Sequence, residues 1–280
     1  MSRPSEVSAV SQRWADALAG WAIPAPILKA ATRDPWMLPV RRFAERADRA
    51  VIEPSGVSYE RAAEVLRNSP GSVLDVGAGA GAASLPLAPL ATRLTAVDSN
   101  RAMLDAFAER AARSGVEHHE VEGRWPDVAG DVEVHDVVVV QHVVFNVADI
   151  APFLLALDRV ARRRVVLELP PHHPLSWMNP LWRQFHDLDR PTGPIAGDLV
   201  EILGLMGADA LAADYWQQHA PAAADGSDHE SVTERAALAT QRLCLPVDRE
   251  SEVAQALAEV DPGCHRDVVT VSWTPGSLRG

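Results

Sequence analysis

The residues most able to do chemistry stand between positions 73 and 84, where the chain reads VLDVGAGAGAAS. An apolar run ends in Asp75 and gives way to alternating glycine and alanine. Such small residues let the backbone approach a ligand closely and leave peptide N–H groups available at the turn. A second acid, Asp98, follows Gly77 by 21 positions and ends the next predicted strand. A carboxylate there can accept hydrogen bonds from ribose hydroxyls, so the pattern predicts nucleoside binding.

The glycine turn fits two kinds of nucleoside. Gly77, Gly79 and Ala82 match the dinucleotide fingerprint G-x-G-x-x-G/A, which holds a pyrophosphate. Asp75, with glycine at positions 77, 79 and 81, matches instead the acid-x-G-x-G-x-G pattern that holds S-adenosylmethionine. A buried carboxylate needs a partner, and the ammonium of a methionine-like ligand would be one. Asp75 therefore favours the second ligand, unless it caps the turn, while Asp98 suits both.

The elements that must position these residues alternate between strand and helix from about residue 70. Hydrophobic periodicity predicts strands at 72–76, 93–97, 117–122, 134–140, 164–169, 212–217 and 268–273. It predicts helices from the glycine turn to about 90 and at 100–114, 149–162, 197–206, 232–243 and 250–260. The three arginines at 162–164 are interpreted as a solvated helix end. Repeated βαβ units imply a parallel sheet with helices on both faces.

The chain is expected to divide into two parts. Residues 1–66 are helical and strandless, with Ser58 as a helix N-cap, and are predicted to form a lid. Residues 67–280 would form the nucleoside-binding domain. A Pro-, His- and Trp-rich loop at 170–197 and an insertion at 218–262, exposed at 219–230, are expected near the acceptor site.

Four motifs resemble those of class I S-adenosylmethionine-dependent methyltransferases. They are VLDVGAGAG, LTAVDSNRAML, VEGRWPDV, and HDVVVVQHVVFNVAD followed by VVLELP, and the resemblance covers about residues 70–170 and more loosely the rest. It implies a Rossmann-like α/β fold of about seven mostly parallel strands, S-adenosylmethionine as cofactor, and methyl transfer. The implied cofactor-binding residues are Asp75, Gly77, Ala78, Gly79, Gly81, Asp98, Ser99, Met103, Gly123, Arg124, Trp125 and Gln141.

Two departures from the family pattern bear on the substrate. Many relatives have an Asp near position 124 that binds the adenine amino group, and this chain lacks it. The resemblance then implies that backbone groups and Trp125 recognise the adenine instead. The N-P-P-Y type motif of amino-methylating relatives is replaced by QHVVFN. This argues against the common DNA-adenine and protein-glutamine methylating types.

Three histidines are candidates for a general base, which a neutral oxygen acceptor would require. His142 directly follows the predicted fourth strand, at the sheet edge where open α/β folds bind ligands. His172 and His173 follow the fifth strand. Each has an alternative role, as a loop-positioning residue or an exposed loop residue. The spacing of histidines and acids matches no strong metal motif, so no metal is predicted.

The composition of the chain argues against several classes of partner. The 280-residue chain carries a net charge of −12, which makes a nucleic-acid substrate improbable. No apolar run is long enough to span a bilayer and the start has no signal-peptide core, so a cytoplasmic protein without membrane association is expected. Its two cysteines, Cys244 and Cys264, suggest neither a disulfide scaffold nor a zinc site. Both a monomer and a homodimer are compatible with the sequence.

The prediction is therefore methyl transfer to a small-molecule acceptor, on oxygen or nitrogen, with carbon as a further possibility. Three alternatives stay open. They are an NAD(P)-dependent oxidoreductase, a non-enzymatic methyltransferase-like binding or regulatory protein, and an rRNA or tRNA methyltransferase.

Overall fold

A seven-stranded sheet forms the centre of the computed structural model, which describes residues 3–37, 39–219, 232–260 and 265–280. The strand order is β3-β2-β1-β4-β5-β7-β6. Strands β1 to β5 are parallel, and β7 pairs antiparallel with both β5 and β6. The predicted mostly parallel sheet is confirmed. The strands are β1 (Gly71–Val76), β2 (Ala91–Asp98), β3 (Glu117–Glu122), β4 (His135–Gln141), β5 (Ala161–Leu169), β6 (Asp209–His219) and β7 (His265–Thr274).

Helices cover both faces of this sheet. Ten α-helices lie in the described residues: α1 (Arg3–Ala19), α2 (Ala25–Ala30), α3 (Val40–Ile52), α4 (Val57–Asn68), α5 (Arg101–Ser114), α6 (Ile150–Val160), α7 (Asn179–His186), α8 (Ala196–Met206), α9 (Val232–Arg242) and α10 (Glu250–Glu259). The long connection between β6 and β7 thus carries α9 and α10, as predicted.

Alternate residues of the central strands belong to two separate cores. In β4, Val138 and Val140 pack in the core that includes α1, α6 and α8. Val137 and Val139 pack in the other core, with α3, α4 and α5. Because side chains alternate along a strand, a strand buried on both faces is a continuous apolar run. The N-terminal helices are therefore divided between the two faces.

The segment after the glycine turn differs from its prediction. The expected helix to about Leu90 is wrong: turns cover most of residues 77–84, and a 3₁₀ helix spans Leu85–Leu90. Gly81 has a φ of 94°, which lies outside the helical region. Pro86 and Pro89 lack the backbone N–H that an α-helix interior requires. The turn is therefore followed by a short, tight segment that returns directly to β2.

Two further local predictions are corrected. Residues 162–164 are not a helix end, because α6 stops at Val160 and the arginines belong to β5. Arg162 donates to Asp136 at 3.1 Å, and Arg163 donates to the carbonyl oxygen of Ser69 at 2.8 Å. Ser58 is not the N-cap of α4, which begins at Val57 after Gly56. Its hydroxyl is instead buried against Glu168.

Some predictions lie outside the described residues. These concern Cys264 and most of the stretch predicted to be exposed at 219–230. Among the helices that the structure describes, none is long and apolar enough to cross a membrane.

Candidate active site

Strand β1 is followed directly by a turn whose conformation requires glycine at position 77. Gly77 has a φ of 70°, and a β-carbon on it would lie 2.4 Å from Cγ2 of Val143. Its N–H donates to the carbonyl oxygen of Val97 at 2.8 Å. The glycine is therefore required by conformation and by the close approach of the segment after β4.

Asp75 lies beneath this turn and is only 1% exposed. Its Oδ2 accepts a hydrogen bond from the Ser84 hydroxyl at 2.6 Å, so Asp75 does tie the turn together. Its Oδ1 meets no donor among the described residues. Burial raises the pKa of this carboxyl to about 7, and the Ser84 hydrogen bond opposes the rise. An orphaned buried carboxylate oxygen fits a ligand that carries an ammonium group or another donor.

Asp98 joins the glycine turn to the end of β2. Its Oδ2 accepts from the N–H of Gly79 and its Oδ1 from the N–H of Asn100, both at 2.9 Å. The N–H of Gly123 donates to the Asp98 backbone carbonyl at 3.0 Å. These contacts bring the ends of three strands together around one half-buried carboxylate. Carboxylate oxygens accept more than one hydrogen bond each, so Asp98 retains capacity for a ligand hydroxyl.

The remaining predicted cofactor residues surround this point with different exposures. Ser99 and Arg124 are exposed, and Met103 is buried in the first turn of α5. Trp125 is also buried, and its indole N–H reaches the carbonyl oxygen of Phe153 at 3.4 Å. The Trp125 side chain thus belongs to the core beside α6, which anchors the loop after β3.

Helix α3 covers the glycine turn from above. Cδ1 of Phe43 lies 3.4 Å from the position a β-carbon would take on Gly79. Asp48 of the same helix receives a hydrogen bond from Arg110 of α5 at 2.8 Å. The predicted N-terminal cover therefore contacts the turn through α3, although no feature of the sequence predicted which helix would do so.

His142 directly follows β4 in a left-handed backbone conformation, with a φ of 59°. Its N–H donates to the backbone carbonyl of Glu168 at 2.8 Å, and its Nε2 lies 3.3 Å from Oε1 of the same residue. The side chain is 31% exposed. Non-glycine residues in this conformation carry strain of about 1–3 kcal/mol and concentrate at functional sites.

Glu168 is the centre of a polar network that connects four elements. Its carboxylate is 3% exposed and contacts His142, the Ser58 hydroxyl of α4, and Arg46 of α3 at 3.9 Å. The side-chain amide of Gln141 donates to Ser58 at 3.3 Å. Burial raises the pKa of Glu168, but His142, Ser58 and Arg46 outweigh it and hold the pKa below its ordinary value. The carboxylate is therefore kept charged inside the protein.

The other two candidate histidines lie elsewhere. His172 is exposed and forms an isolated bridge to Ile195. His173 is buried, with its ring stacked on Trp21 at 3.8 Å and edge-on to Phe145 at 5.5 Å. Burial, together with the charge of Arg190, lowers the pKa of His173 to about 4. His173 thus remains neutral and fastens the segment after β5 to the N-terminal helices.

No group of three or more His, Cys, Asp or Glu side chains is arranged to hold a metal ion in the parts of the chain that the structure describes. Sequence reasoning did not predict the Ser58–Glu168 contact, because the two residues are 110 positions apart. In the sequence, Glu168 is notable only as an acid within VVLEL, the apolar second half of β5.

Known proteins share both the sequence and the architecture of this region. Residues 74–167 match the family model described as a methyltransferase domain. The ubiquinone biosynthesis O-methyltransferase of Caulobacter sp. (strain K31) is 28% identical over 158 residues, which cover 48% of this chain and 61% of that protein. The chain therefore spans less than two thirds of the length of that relative.

Solved structures extend the comparison to nearly the whole chain. A candidate sarcosine dimethylglycine methyltransferase from Galdieria sulphuraria is 13% identical, with 94% of this chain and 97% of that chain covered and a TM-score of 0.51. Coclaurine N-methyltransferase bound to N-methylheliamine and SAH is 13% identical, with 96% and 88% covered and a TM-score of 0.49. The sheet order and the similarity to the Galdieria sulphuraria structure confirm the predicted Rossmann-like α/β fold.

Proposed function

We propose that this chain, whose residues 74–167 match a methyltransferase domain, transfers a methyl group from S-adenosylmethionine to a small-molecule acceptor, on oxygen or nitrogen. The observation that carries this proposal is the unsatisfied oxygen of buried Asp75 beneath the glycine turn. A dinucleotide site would leave that oxygen without a donor, whereas the ammonium of the methionine part supplies one.

The cofactor would lie across the ends of β1, β2 and β3. Asp98 would accept hydrogen bonds from the ribose hydroxyls, since it already lies between the glycine turn and α5. The turn would contact the methionine part through residues 77–79 and 81. Ser99, Met103, residues 123–124 and the backbone of Trp125 would border the adenine, and Gln141 would lie beside the methionine part, as the resemblance to this family implies.

The cofactor supplies an electrophilic methyl group, so the chain must align the acceptor and receive its proton. We assign the proton-accepting role to His142, in preference to His172 and His173. It is partly exposed at the carboxyl end of β4, whereas His172 lies out at the surface and His173 is enclosed by aromatic rings.

The proposed acceptor is a small molecule and not a nucleic acid. The net charge of −12 opposes binding to a polyanion. The same composition and the scarcity of cysteine support a cytoplasmic protein.

Calorimetry with the full chain tests the proposal directly. S-adenosylmethionine and S-adenosylhomocysteine should bind at micromolar concentration, and NADH should not. Asp98→Ala should abolish binding of both, while Asp136→Ala, at the opposite end of the sheet, should retain it. Binding of NADH alone would establish the oxidoreductase alternative, and binding of none of the three would favour a non-enzymatic role.

A further inference from the structure

We propose that Glu168 positions His142 as a general base for a hydroxyl acceptor, by keeping the imidazole proton on Nε2 and the lone pair on Nδ1. This inference rests on the proposed methyl transfer and adds to it the acceptor class. It assigns a role to a buried acid that lies one residue before the end of β5.

Two contacts to the same residue fix the orientation of His142. The backbone carbonyl of Glu168 accepts from the His142 N–H at 2.8 Å, and its carboxylate lies 3.3 Å from Nε2. A carboxylate that is held charged accepts hydrogen bonds only, so the nitrogen facing it must carry the proton. In neutral imidazole the other nitrogen is then the basic one.

The Glu168 carboxylate is itself fixed by neighbouring elements. Ser58 of α4 donates to Oε2, and the Arg46 guanidinium of α3 lies 3.9 Å from Oε1. Both groups reach the Glu168 carboxylate from the N-terminal helices. Because its own partners come from two helices, Glu168 has little freedom to move away from His142.

This arrangement suits the charge balance of methyl transfer to a hydroxyl. As the acceptor oxygen bonds to the methyl carbon, the sulfur–methyl bond breaks and its electron pair stays on sulfur. The hydroxyl proton moves to Nδ1 of His142. The products are a neutral methyl ether, neutral S-adenosylhomocysteine and an imidazolium, so the positive charge passes from sulfur to His142.

A buried negative charge beside that imidazolium stabilises the product side of the step. A neutral amine already has an accessible lone pair and can attack before it loses a proton, so it needs no such base. A hydroxyl is a poor nucleophile until its proton is removed. The geometry therefore favours oxygen over nitrogen as the methylated atom.

The tautomer can be measured without knowing the natural acceptor. Nitrogen-15 spectra of the full chain saturated with S-adenosylhomocysteine should show neutral His142 protonated on Nε2, with the signals assigned from His142→Gln. In Glu168→Gln the pKa of His142 should fall by about one pH unit or more, because a nearby opposite charge is lost. In Glu168→Asp the pKa of His142 should return most of the way to its wild-type value. Glu201→Gln, a substitution on the exposed face of α8, should leave the pKa of His142 unchanged.

A proton found on Nδ1, or a His142 pKa that is unchanged in Glu168→Gln, would overturn the positioning role. A purely structural contribution of Glu168 would alter the stability of the variant without altering the titration of His142. Thermal unfolding of each variant separates these effects.

The acceptor class is tested by turnover with S-adenosylmethionine and simple probes. Catechol, 3,4-dihydroxybenzoate and p-cresol offer hydroxyls, and sarcosine and tetrahydroisoquinoline offer amines. We expect methyl ethers from the hydroxyl probes, and a rate that falls about 100-fold or more in His142→Gln. In Glu168→Gln, kcat should fall with little change in KM, and its dependence on pH should shift with the His142 titration.

Two failures are distinguishable in this experiment. If S-adenosylhomocysteine binds but only the amines, or none of the hydroxyl probes, are methylated, the hydroxyl assignment is wrong and methyl transfer as such is unaffected. If neither S-adenosylmethionine nor S-adenosylhomocysteine binds, the proposed function itself fails.

Discussion

The polar side chains at the two ends of the central sheet differ in how they are hydrogen-bonded. At the amino ends of the strands, Asp136 accepts from the Ser72 N–H at 2.9 Å and from Arg162 at 3.1 Å. Nearby, His135 bonds through Nδ1 to the Glu133 carbonyl at 2.7 Å and through Nε2 to a threonine hydroxyl at 2.8 Å. Both groups therefore have protein partners. Neighbouring Arg93 has a buried Nε without one, but its terminal nitrogen donates to Glu133 at 2.7 Å.

The carboxyl ends of the strands differ, because in the described part of the chain one buried carboxyl oxygen there lacks a protein donor and one residue has a strained backbone. Asp75 has one oxygen without a donor among the described residues, and His142 is held in a left-handed conformation. Buried polar groups are normally satisfied, because an unsatisfied group costs about 1–3 kcal/mol. The contrast indicates that the amino end stabilises the fold, whereas the carboxyl end is arranged for a ligand.

The largest expected effect comes from the glycine turn itself. Gly77→Ala should lower the free energy of unfolding by about 3 kcal/mol, because it combines a positive φ with a clash against Val143. Gly115→Ala is the matched control, since its φ is 72° and a β-carbon there meets nothing within 4 Å. It should cost only about 1 kcal/mol. Urea unfolding measures both, and equal losses would show that the close approach at Gly77 is unimportant.

At the amino end, Asp136→Asn should cost about 2 kcal/mol at pH 7, since it removes charge-assisted hydrogen bonds. Burial raises the pKa of Asp136, but Ser72 and Arg162 outweigh it and lower the pKa. The stability it contributes is therefore present above the ordinary aspartate pKa and is lost as the pH falls through the lowered one. Binding of S-adenosylhomocysteine should remain within about twofold of wild type, since the sites are distant. A large loss of affinity would contradict the conclusion that only the carboxyl end of the sheet binds the ligand.

His173→Phe tests the aromatic contact behind the carboxyl end. Since burial lowers the pKa of His173 to about 4, the unfolded chain binds a proton at a higher pH than the folded one. The histidine therefore costs stability as the pH falls from about 6.5 towards 4, and by pH 5 the cost is about 2 kcal/mol at most. Between pH 7 and pH 5, the free energy of unfolding of His173→Phe should rise relative to that of the wild type by up to that amount. Parallel urea titrations that show no gain would contradict the buried, neutral state.

The smallest effect is a change in bound protons at Asp75. Its raised pKa, about 7, means that the folded protein holds more protons than the unfolded chain between about pH 4 and pH 7. Its stabilising contribution is thus present at low pH and is lost as the pH rises to about 7. An ammonium that ionises the carboxylate should release a fraction of a proton when S-adenosylmethionine binds at pH 6. Calorimetry in buffers of different ionisation enthalpy measures this, and Asp75→Asn should abolish it.

The sequence predicted most of the sheet, since its strands are apolar runs that end at acids or turns. The acid and glycines of the turn, and Asp98 after β2, also indicated where a nucleoside would lie. The predicted helix after the turn failed because Pro86 and Pro89 outweigh its apolar spacing. The arginines at 162–164 were misassigned because β5 follows α6 without a loop.

The pairing of His142 with Glu168 could not be predicted from the sequence. It depends on the parallel register of β4 and β5, in which Gln141 lies opposite Glu168. A one-residue slip would place these side chains on the other face of the sheet. Ser58 and Arg46 contact Glu168 only because α3 and α4 pack on that face of the sheet. Such packing is a tertiary interaction, which local secondary-structure propensity does not predict.

The attachment of α1 has a consequence for the order in which the chain folds. Trp14 donates to the carbonyl oxygen of Val147 and Trp21 to that of Gly193, contacts that span 133 and 172 residues. Helix α1 therefore leaves the ribosome long before the segments that it packs against. Until then its apolar side, with Val7, Val10 and Trp14, stays uncovered on the nascent chain, as a surface that chaperones recognise and that promotes aggregation.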